Sequence, residues 1–432
     1  MVIINPISPE EAYVTRRRAL IAGGGLGGLT AAAALHRRGW DVCVFEQAIT
    51  LEPVAAGISV WPNGLRSLDR LGIGDAVREI GRVPGPGGLR QPDGTWLIRN
   101  NISAAVQEKY GDPVVALHRA ELANVIVQAL PFGVVQADTR VTGVRAGDAD
   151  TPAALITEHG ESEGDLVVAA DGIRSVVRSL LFPSPVAPAP VGYTSWRMVV
   201  PDPGGLSPED TGFETWGPDG RRFAVMPLKD QSLYCYATAA SDGGAGDDRD
   251  DRDDGDNETG SSGVQELRRL FGDWHDPIPA LLENLVEEQV MRHPVEELNP
   301  GPSAFHQGRV ALIGDAAHAM TPDLGQGGSM ALEDAVVLAS LVGEGRVGPE
   351  FENVPIPPAL EKFTQVRQAR TQMVARRSRQ LGRLNSAAPH RAQVLTAQVL
   401  NALPGTPLAS GLASIVNWEP PPLPPADPRS RL

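Results

Sequence analysis

The sequence predicts an α/β fold in which a parallel-sheet domain is interrupted by an antiparallel sheet and followed by C-terminal helices. Three observations predict it. Gly23-x-Gly25-x-x-Gly28 sits directly behind the apolar run 19–22. Apolar runs that read as strands buried on both faces recur at 165–170 and 310–315, far apart in the chain. Between these two lie four alternating segments, 192–200, 212–216, 222–228 and 233–239, spaced as the strands of an antiparallel sheet.

The elements follow in order. A first strand starts at Arg18, the glycines form a tight turn, and Thr30 to Arg38 is an alanine-rich helix. In such a strand–turn–helix the first glycine permits the turn and the second lets a pyrophosphate approach the backbone. The third lets helix and strand pack closely. The helix N-terminus then offers free N–H groups and its positive dipole end to phosphate. The next run, 40–46, is β-rich and ends in Glu46, 18 residues after Gly28, where a second strand offers a carboxylate to a ribose hydroxyl. Together these features imply a bound dinucleotide.

Further along, 57–64 is turn-rich and leads into a helix over 65–71, and glycine and proline at 81–88 introduce a short strand pair ending near Arg99. A strand at 114–117 precedes a helix from His118 to Leu130 with apolar residues at helical spacing. Three more strands end at 165–170. The four prolines of 182–190 mark a crossing into the second sheet, after which come two helices, the 310–315 strand, a long helix over 360–384 and a proline-rich tail. The expected division is 14–80, 101–185 and 291–350 for the first domain, 81–100 and 186–290 for the second, and 351–432 for the C-terminal segment.

Composition narrows the function classes. The 432 residues suffice for two or three domains, and a net charge of −15 argues against nucleic acid as a partner. Of that charge, −7 lies in the nine acids and two arginines of 241–263, which read as a solvated, disordered loop. No charge-free apolar run has membrane-spanning length. Arg16-Arg17-Arg18 before an uncharged stretch imitate a secretion address, but glycine fills its apolar core and His36-Arg37-Arg38 replace a cleavage site. Cys43 and Cys235, both in strand-like runs, read as buried thiols of a cytoplasmic protein. No zinc-spaced Cys/His set, Walker loop or Ser-His-Asp elbow is present.

Two more motifs complete a pattern. Ala170-Asp171-Gly172-Ile173-Arg174-Ser175 is an Asp-Gly turn after a buried strand, and Gly314-Asp315 through Gly328 ends another strand and enters a helix from Ser329 onward. Asp315 is placed to accept hydrogen bonds from a polyol, and Gly325, Gly327 and Gly328 free N–H donors at a helix start. With the first fingerprint, the chain resembles the single-component flavin monooxygenases related to para-hydroxybenzoate hydroxylase. Its second sheet is most similar to the branch holding salicylate hydroxylases, zeaxanthin epoxidases and urate hydroxylases. The acidic insert departs from that pattern.

The resemblance implies a Rossmann-like FAD-binding domain with non-covalent FAD held by Gly23, Gly25, Gly27, Gly28, Glu46, Arg119, Asp171, Asp315, Gly325, Gly327 and Gly328. Because FAD occupies the single fingerprint, NAD(P)H is implied to visit transiently near 171–178. It further implies O2 activation as a flavin C4a-hydroperoxide and hydroxylation or epoxidation of an aromatic or other electron-rich small molecule. Expected partners are that substrate, O2 and NAD(P)H, in a monomer or homodimer.

Alternation along the second sheet puts Tyr193, Ser195 and Arg197 on one face and Thr194, Trp196 and Met198 on the other. Candidate substrate contacts are Tyr193, Arg197, Trp216, Arg222, Met226 and Tyr234. Candidate catalytic residues are Arg222, Tyr234 and Pro322. Arg222 and Tyr234, twelve residues apart, are expected on adjacent strands, where the arginine holds an anion and the phenol orients it. The competing reading is an arginine tied to nearby carboxylates and a packed tyrosine. His318 reads as scaffold. A flavoprotein that shields a reactive intermediate, or a flavin halogenase, are the alternative functions; the chain lacks the Trp-x-Trp-x-Ile segment of the latter.

Overall fold

The computed structural model of the chain describes residues 15–51, 56–182, 186–204, 206–207, 211–241, 262–348, 353–387 and 412–424. The acidic stretch 242–261 and the end of the tail therefore lie outside the described residues.

The apolar runs meet in a six-stranded sheet. β1 (Arg18–Ala22) pairs in parallel with β2 (Asp41–Phe45), and α1 (Leu26–Arg37) connects them. β3 (Gly57–Val60) leads into α2 (Pro62–Leu71) and α3 (Gly74–Ile80); then come β4 (Gly87–Arg90), β5 (Trp96–Asn100), α4 (Ile102–Tyr110), β6 (Val115–His118) and α5 (Arg119–Val127). β7 (Val135–Gln136) adds to β2, and β8 (Val141–Arg145), β9 (Ala153–Thr157) and β10 (Gly160–Gly164) form a small antiparallel sheet. β11 (Leu166–Ala169) joins β1 in parallel and precedes α6 (Val176–Leu181). All four β11 residues are fully buried, as their unbroken apolar run requires.

The chain then crosses to a seven-stranded sheet built from β12 (Ala189–Pro201), β13 (Phe213–Trp216), β14 (Arg222–Pro227), β15 (Ser232–Ala240) and β16 (Val290–Glu297), with β4 and β5 at one edge. α7 (Gly263–Phe271) and α8 (Ile278–Glu283) cover its outer face. There Trp196, Met198, Phe223, Val225 and Cys235 pack with Leu267, Phe271 and Ile278. β17 (His306–Gln307) and β18 (Val310–Leu312) return to the first sheet, whose order is β17-β18-β11-β1-β2-β7. α9 (Asp315–His318), α10 (Gly327–Val342), α11 (Ile356–Ala387) and α12 (Ala413–Val416) finish the described chain. No helix among the described residues is long and apolar enough to cross a membrane.

Several boundaries differ from the sequence expectation. α1 begins at Leu26 rather than Thr30, because glycines are tolerated in a first turn whose N–H groups have no intrahelical partner anyway. α10 likewise starts at Gly327, not Ser329. β16 stays paired with β12 through Glu297, so the return to the first sheet comes after residue 297 and not at 291. Between α5 and β11 there are four strands, β7 to β10, where the sequence reading has two, because β7 adds to the parallel sheet and 153–164 folds as a hairpin, β9–β10.

Candidate active site

The glycine turn is built by crowding. Gly23 takes φ +101°, and a Cβ on Gly28 would stand 2.0 Å from its carbonyl oxygen. A Cβ on Gly25, by contrast, would meet nothing within 4 Å. The turn is thus closed on the protein side and open on the other. Glu46 accepts from the Gly24 N–H at 2.5 Å and the Ala48 N–H at 2.8 Å. A carboxylate has lone pairs beyond these two, so it can still receive a ribose hydroxyl.

The third motif leaves the sheet at the same end as this turn, two strands away, because β18 runs parallel to β1 through β11. Gly314 at φ +57° swings the chain from β18 into α9 and leaves the Asp315 side chain exposed at the helix start. Pro322 begins a single 3-10 turn ending at Leu324, Gly325 follows at φ +61°, and α10 begins at Gly327 with no side-chain cap. A Cβ on Gly327 would enter open space. Beside it the Trp61 Nε1, Gln326 Nε2 and Ser329 Oγ atoms are buried without a hydrogen-bond partner among the described residues. Uncapped helix N–H groups with orphaned donors beside them suit an electron-rich polar ring edge, and an open glycine turn suits a pyrophosphate. The residues present therefore fit a flavin dinucleotide.

The second motif turns out to be a brace. Asp171 accepts from Ser175 Oγ at 2.5 Å and from the Val177 N–H at 3.1 Å, capping α6, and burial raises its pKa despite those bonds. Arg178 is buried and donates to Ala316 O at 2.9 Å, Ile173 O at 2.5 Å and Val186 O at 3.2 Å. It ties the Asp-Gly turn to the residue after Asp315.

The inner face of the seven-stranded sheet roofs the site. Register fixes its rows: Ser195–Thr238–Arg222–Trp216, then Arg197–Tyr236–Ala224–Glu214, then Val199–Tyr234–Met226. Tyr193, Arg197, Arg222, Met226 and Tyr234 do share one face, and Trp216 lies on it beside Arg222. The wall beneath is β3. Gly57 must be glycine, because its Cβ would sit 2.2 Å from Tyr234 Cγ, and Ser59 Oγ meets Met226 Sδ at 3.4 Å.

Arg222 and Tyr234 are not neighbours. Arg222 stands opposite Thr238 and Tyr234 opposite Met226, so four residues, roughly 13 Å of strand, separate their rows. The arginine is occupied instead. Its Nη2 lies 2.8 Å from Asp323 Oδ1, its Nη1 3.6 Å from Glu214 Oε1, and its Nε donates to Thr238 Oγ1 at 3.1 Å. Burial pushes its pKa down, but the two carboxylates outweigh that and raise it. Tyr193 donates its hydroxyl to the other Asp323 oxygen at 2.9 Å. This is the competing reading of Arg222, with Asp323 as its partner, and it fastens the sheet to the Pro322 turn.

Two other cations are left. Arg197 is half-buried on the inner face with no hydrogen bond or ion pair among the described residues. Arg119, at the start of α5, is solvent-accessible yet hemmed in by protein. The loss of water lowers its pKa, opposed by Asp315, and Arg197 lowers it further. Burial raises the Tyr234 pKa, while Arg197 and Arg119 pull it back. Arg119 thus lies within electrostatic reach of Arg197, Tyr234 and Asp315.

Sequence reasoning missed a buried network beneath the flavin motif. Asp334 accepts from the Gly314 N–H at 2.9 Å, bonds His318 Nε2 at 2.6 Å and pairs with Arg367 at 2.6 Å. Glu333 pairs with Arg367 and, in two bonds of 2.7 Å, with Arg370, and it accepts from Asn63 at 2.7 Å. Asn63 also donates to Gln326 Oε1 at 3.0 Å. The signal was present as an acidic pair inside the apolar run of α10. His318, read as scaffold, is buried with its Nε2 against Asp334.

Comparison with known proteins agrees with this geometry. The profile of the FAD binding domain family matches residues 16–348. Aurachin C monooxygenase/isomerase of Stigmatella aurantiaca is 37% identical over 84% of this chain and 88% of its own length. An FAD-dependent urate hydroxylase of Klebsiella pneumoniae is 32% identical over 76% of this chain and 82% of its own. Klebsiella pneumoniae HpxO, solved with FAD and uric acid, superposes with a TM-score of 0.79 at 28% identity, covering 94% of this chain and 97% of that one.

Proposed function

The chain belongs to the FAD binding domain family and is an FAD-dependent monooxygenase, and from that premise we propose that its substrate is an acidic aromatic or heteroaromatic ring anchored by Arg197. When bound, FAD supplies electron storage and activation of O2 for transfer of one oxygen atom. The remaining work falls to the chain. Gly23 to Gly28 and Glu46 hold the adenosine and pyrophosphate end. Asp315 and the start of α10 hold the flavin end, with Arg119 beside them. The Pro322 turn and the inner sheet face enclose the reacting ring and exclude water.

One observation carries the substrate class. Arg222 is neutralised by Asp323 and Glu214, so it offers no free charge to an anion. Arg197 does, with the Tyr234 phenol nearby to orient the ring by a hydrogen bond. Urate, named in one relative's activity, is an acidic heteroaromatic of this kind. The reading extends to NAD(P)H as reductant and to a cytoplasmic monomer or homodimer; two buried free thiols, Cys43 and Cys235, support a reducing compartment.

The test is substrate-stimulated NAD(P)H oxidation with urate, aurachin C and a set of hydroxylated aromatic and heteroaromatic acids, followed by product mass spectrometry. With the active substrate, Arg197→Gln should raise KM roughly tenfold to a hundredfold, the size of a lost charged hydrogen bond, with normal flavin content. Arg222→Gln should instead lower thermal stability, because it strands two carboxylates, at a cost of about 3 kcal/mol or more. An unchanged KM in Arg197→Gln, or a preference for neutral rings, overturns the anchor.

A further inference from the structure

The described C-terminal segment 412–424 crosses α11, α2 and α1, and arginines hold it at nearly every step. Arg370 on α11 donates to Ser414 O at 3.0 Å and Ile415 O at 2.8 Å, and Arg377 donates to Ser414 Oγ at 2.6 Å. On α2, Arg66 donates to Val416 O at 3.1 Å and Trp418 O at 3.3 Å and pairs with Glu419 at 3.3 Å; Arg70 donates to Pro420 O at 3.0 Å. Arg37, ending α1, donates to Pro424 O at 3.1 Å. Ile415 and Val416 are fully buried, Ile415 against Met330 of α10 and Val374 of α11. A segment whose carbonyls are taken up by four arginines, with a fifth on a side-chain hydroxyl, from three helices is a strap, not a frayed end.

Near its middle the strap passes the flavin-site network. The Trp418 ring lies 5.6 Å from the Arg367 guanidinium and 5.2 Å from that of Arg370. Those guanidiniums neutralise Glu333 and Asp334, all four groups being largely withdrawn from water. Asp334 holds the Gly314 N–H and His318, so it sets the turn that presents Asp315. Glu333 holds Asn63, and Asn63 holds Gln326, the residue from which α10 starts. From Trp418 to the two flavin-facing chain ends there is thus an unbroken series of contacts. Water admitted at Arg370 would weaken every ion pair beneath it, because these pairs draw their strength from a dry surrounding.

We propose that the C-terminal strap belongs to the flavin site, with Trp418 as a positioning residue that seals the Arg367–Arg370–Glu333–Asp334 cluster and so fixes the Gly314–Asp315 turn and the start of α10 against FAD. The inference rests on the FAD-binding reading but not on the substrate. It touches no residue that meets substrate, and its failure leaves the Arg197 anchor standing.

The experiment compares full-length protein with Trp418→Ala, Trp418→Phe and a chain ending at residue 411. Each is stripped of flavin and titrated with FAD, and its flavin reduction potential is measured. Trp418→Ala should weaken FAD binding roughly tenfold, the size of a desolvated cation–π contact, and should shift the potential; Trp418→Phe should restore most of both. The shortened chain should lose at least as much affinity as Trp418→Ala. Arg70→Ala, which loosens the strap away from the network, controls for general destabilisation: it should lower the melting temperature while leaving FAD affinity unchanged. FAD affinity and potential unchanged in Trp418→Ala, or lost equally in Arg70→Ala, overturn the proposal.

Discussion

Two glycines three residues apart do different work, and the difference is measurable. Gly28 faces the protein, with the Gly23 carbonyl 2.0 Å from where its Cβ would be, whereas Gly25 faces open space. Gly28→Ala must therefore push β1 and α1 apart, and it should cost stability, by about 1–3 kcal/mol for an overpacked contact. Gly25→Ala should leave the melting temperature of the flavin-free protein unchanged and still abolish tight FAD binding, since the new methyl occupies the pyrophosphate's approach. Calorimetry of the stripped proteins with an FAD titration separates the two. Equal destabilisation by both variants would show that the turn is not open on its outer side. At this scale the sequence was most legible where one residue type has one physical task, as in the glycines of the fingerprint turn. It was least legible for Arg222, whose partner Asp323 lies 101 positions away and whose distance from Tyr234 depends on strand register, which spacing alone does not set.

At the scale of elements, α10 and α11 carry the site through their buried charges. Burial alone would raise the Asp334 pKa, but His318 and Arg367 outweigh it and lower the value to about 2. A carboxyl depressed in the folded state and near 3.9 when unfolded stabilises the fold at every pH above about 4, and that contribution is lost as pH falls toward 2. The shift corresponds to about 2 kcal/mol. Acid unfolding of the wild type should therefore steepen below pH 4. Asp334→Asn should remove that component and should also be destabilised at pH 7, where Arg367 loses a partner. A variant whose stability falls with acid as steeply as the wild type's would assign the titration elsewhere. The helices themselves follow from apolar periodicity and glycine starts. Their charged interior does not, because the acidic pair inside the apolar run of α10 finds its partners Arg367 and Arg370 only when the two helices are packed together. Arg178 is likewise a buried clasp, on Ala316.

At the scale of the whole molecule, the chain leaves one domain for the other and returns, and a long acidic stretch stands between two elements of the second. Its flanks are each secured without it. Ser241 donates its N–H to Gly192 O at 3.0 Å at the end of β15. Ser262 caps α7 by accepting from the Gln265 N–H at 3.2 Å, and Glu287 accepts from the Gly263 N–H at 2.7 Å. Residues 242–261 hold nine acids and two arginines, so removing them changes the net charge from −15 to −8. Replacing them with a flexible Gly/Ser linker of about ten residues should leave flavin content, melting temperature and turnover within error, because loop closure depends only weakly on length. A negative segment of this size repels an anionic substrate over roughly a Debye length, about 8 Å at physiological salt. The replaced protein should consequently show a KM for its acidic substrate that is equal to the wild type's at high salt and no higher at low salt. Aggregation, flavin loss or a raised KM in the replaced protein would give the acidic stretch a part in folding or substrate capture.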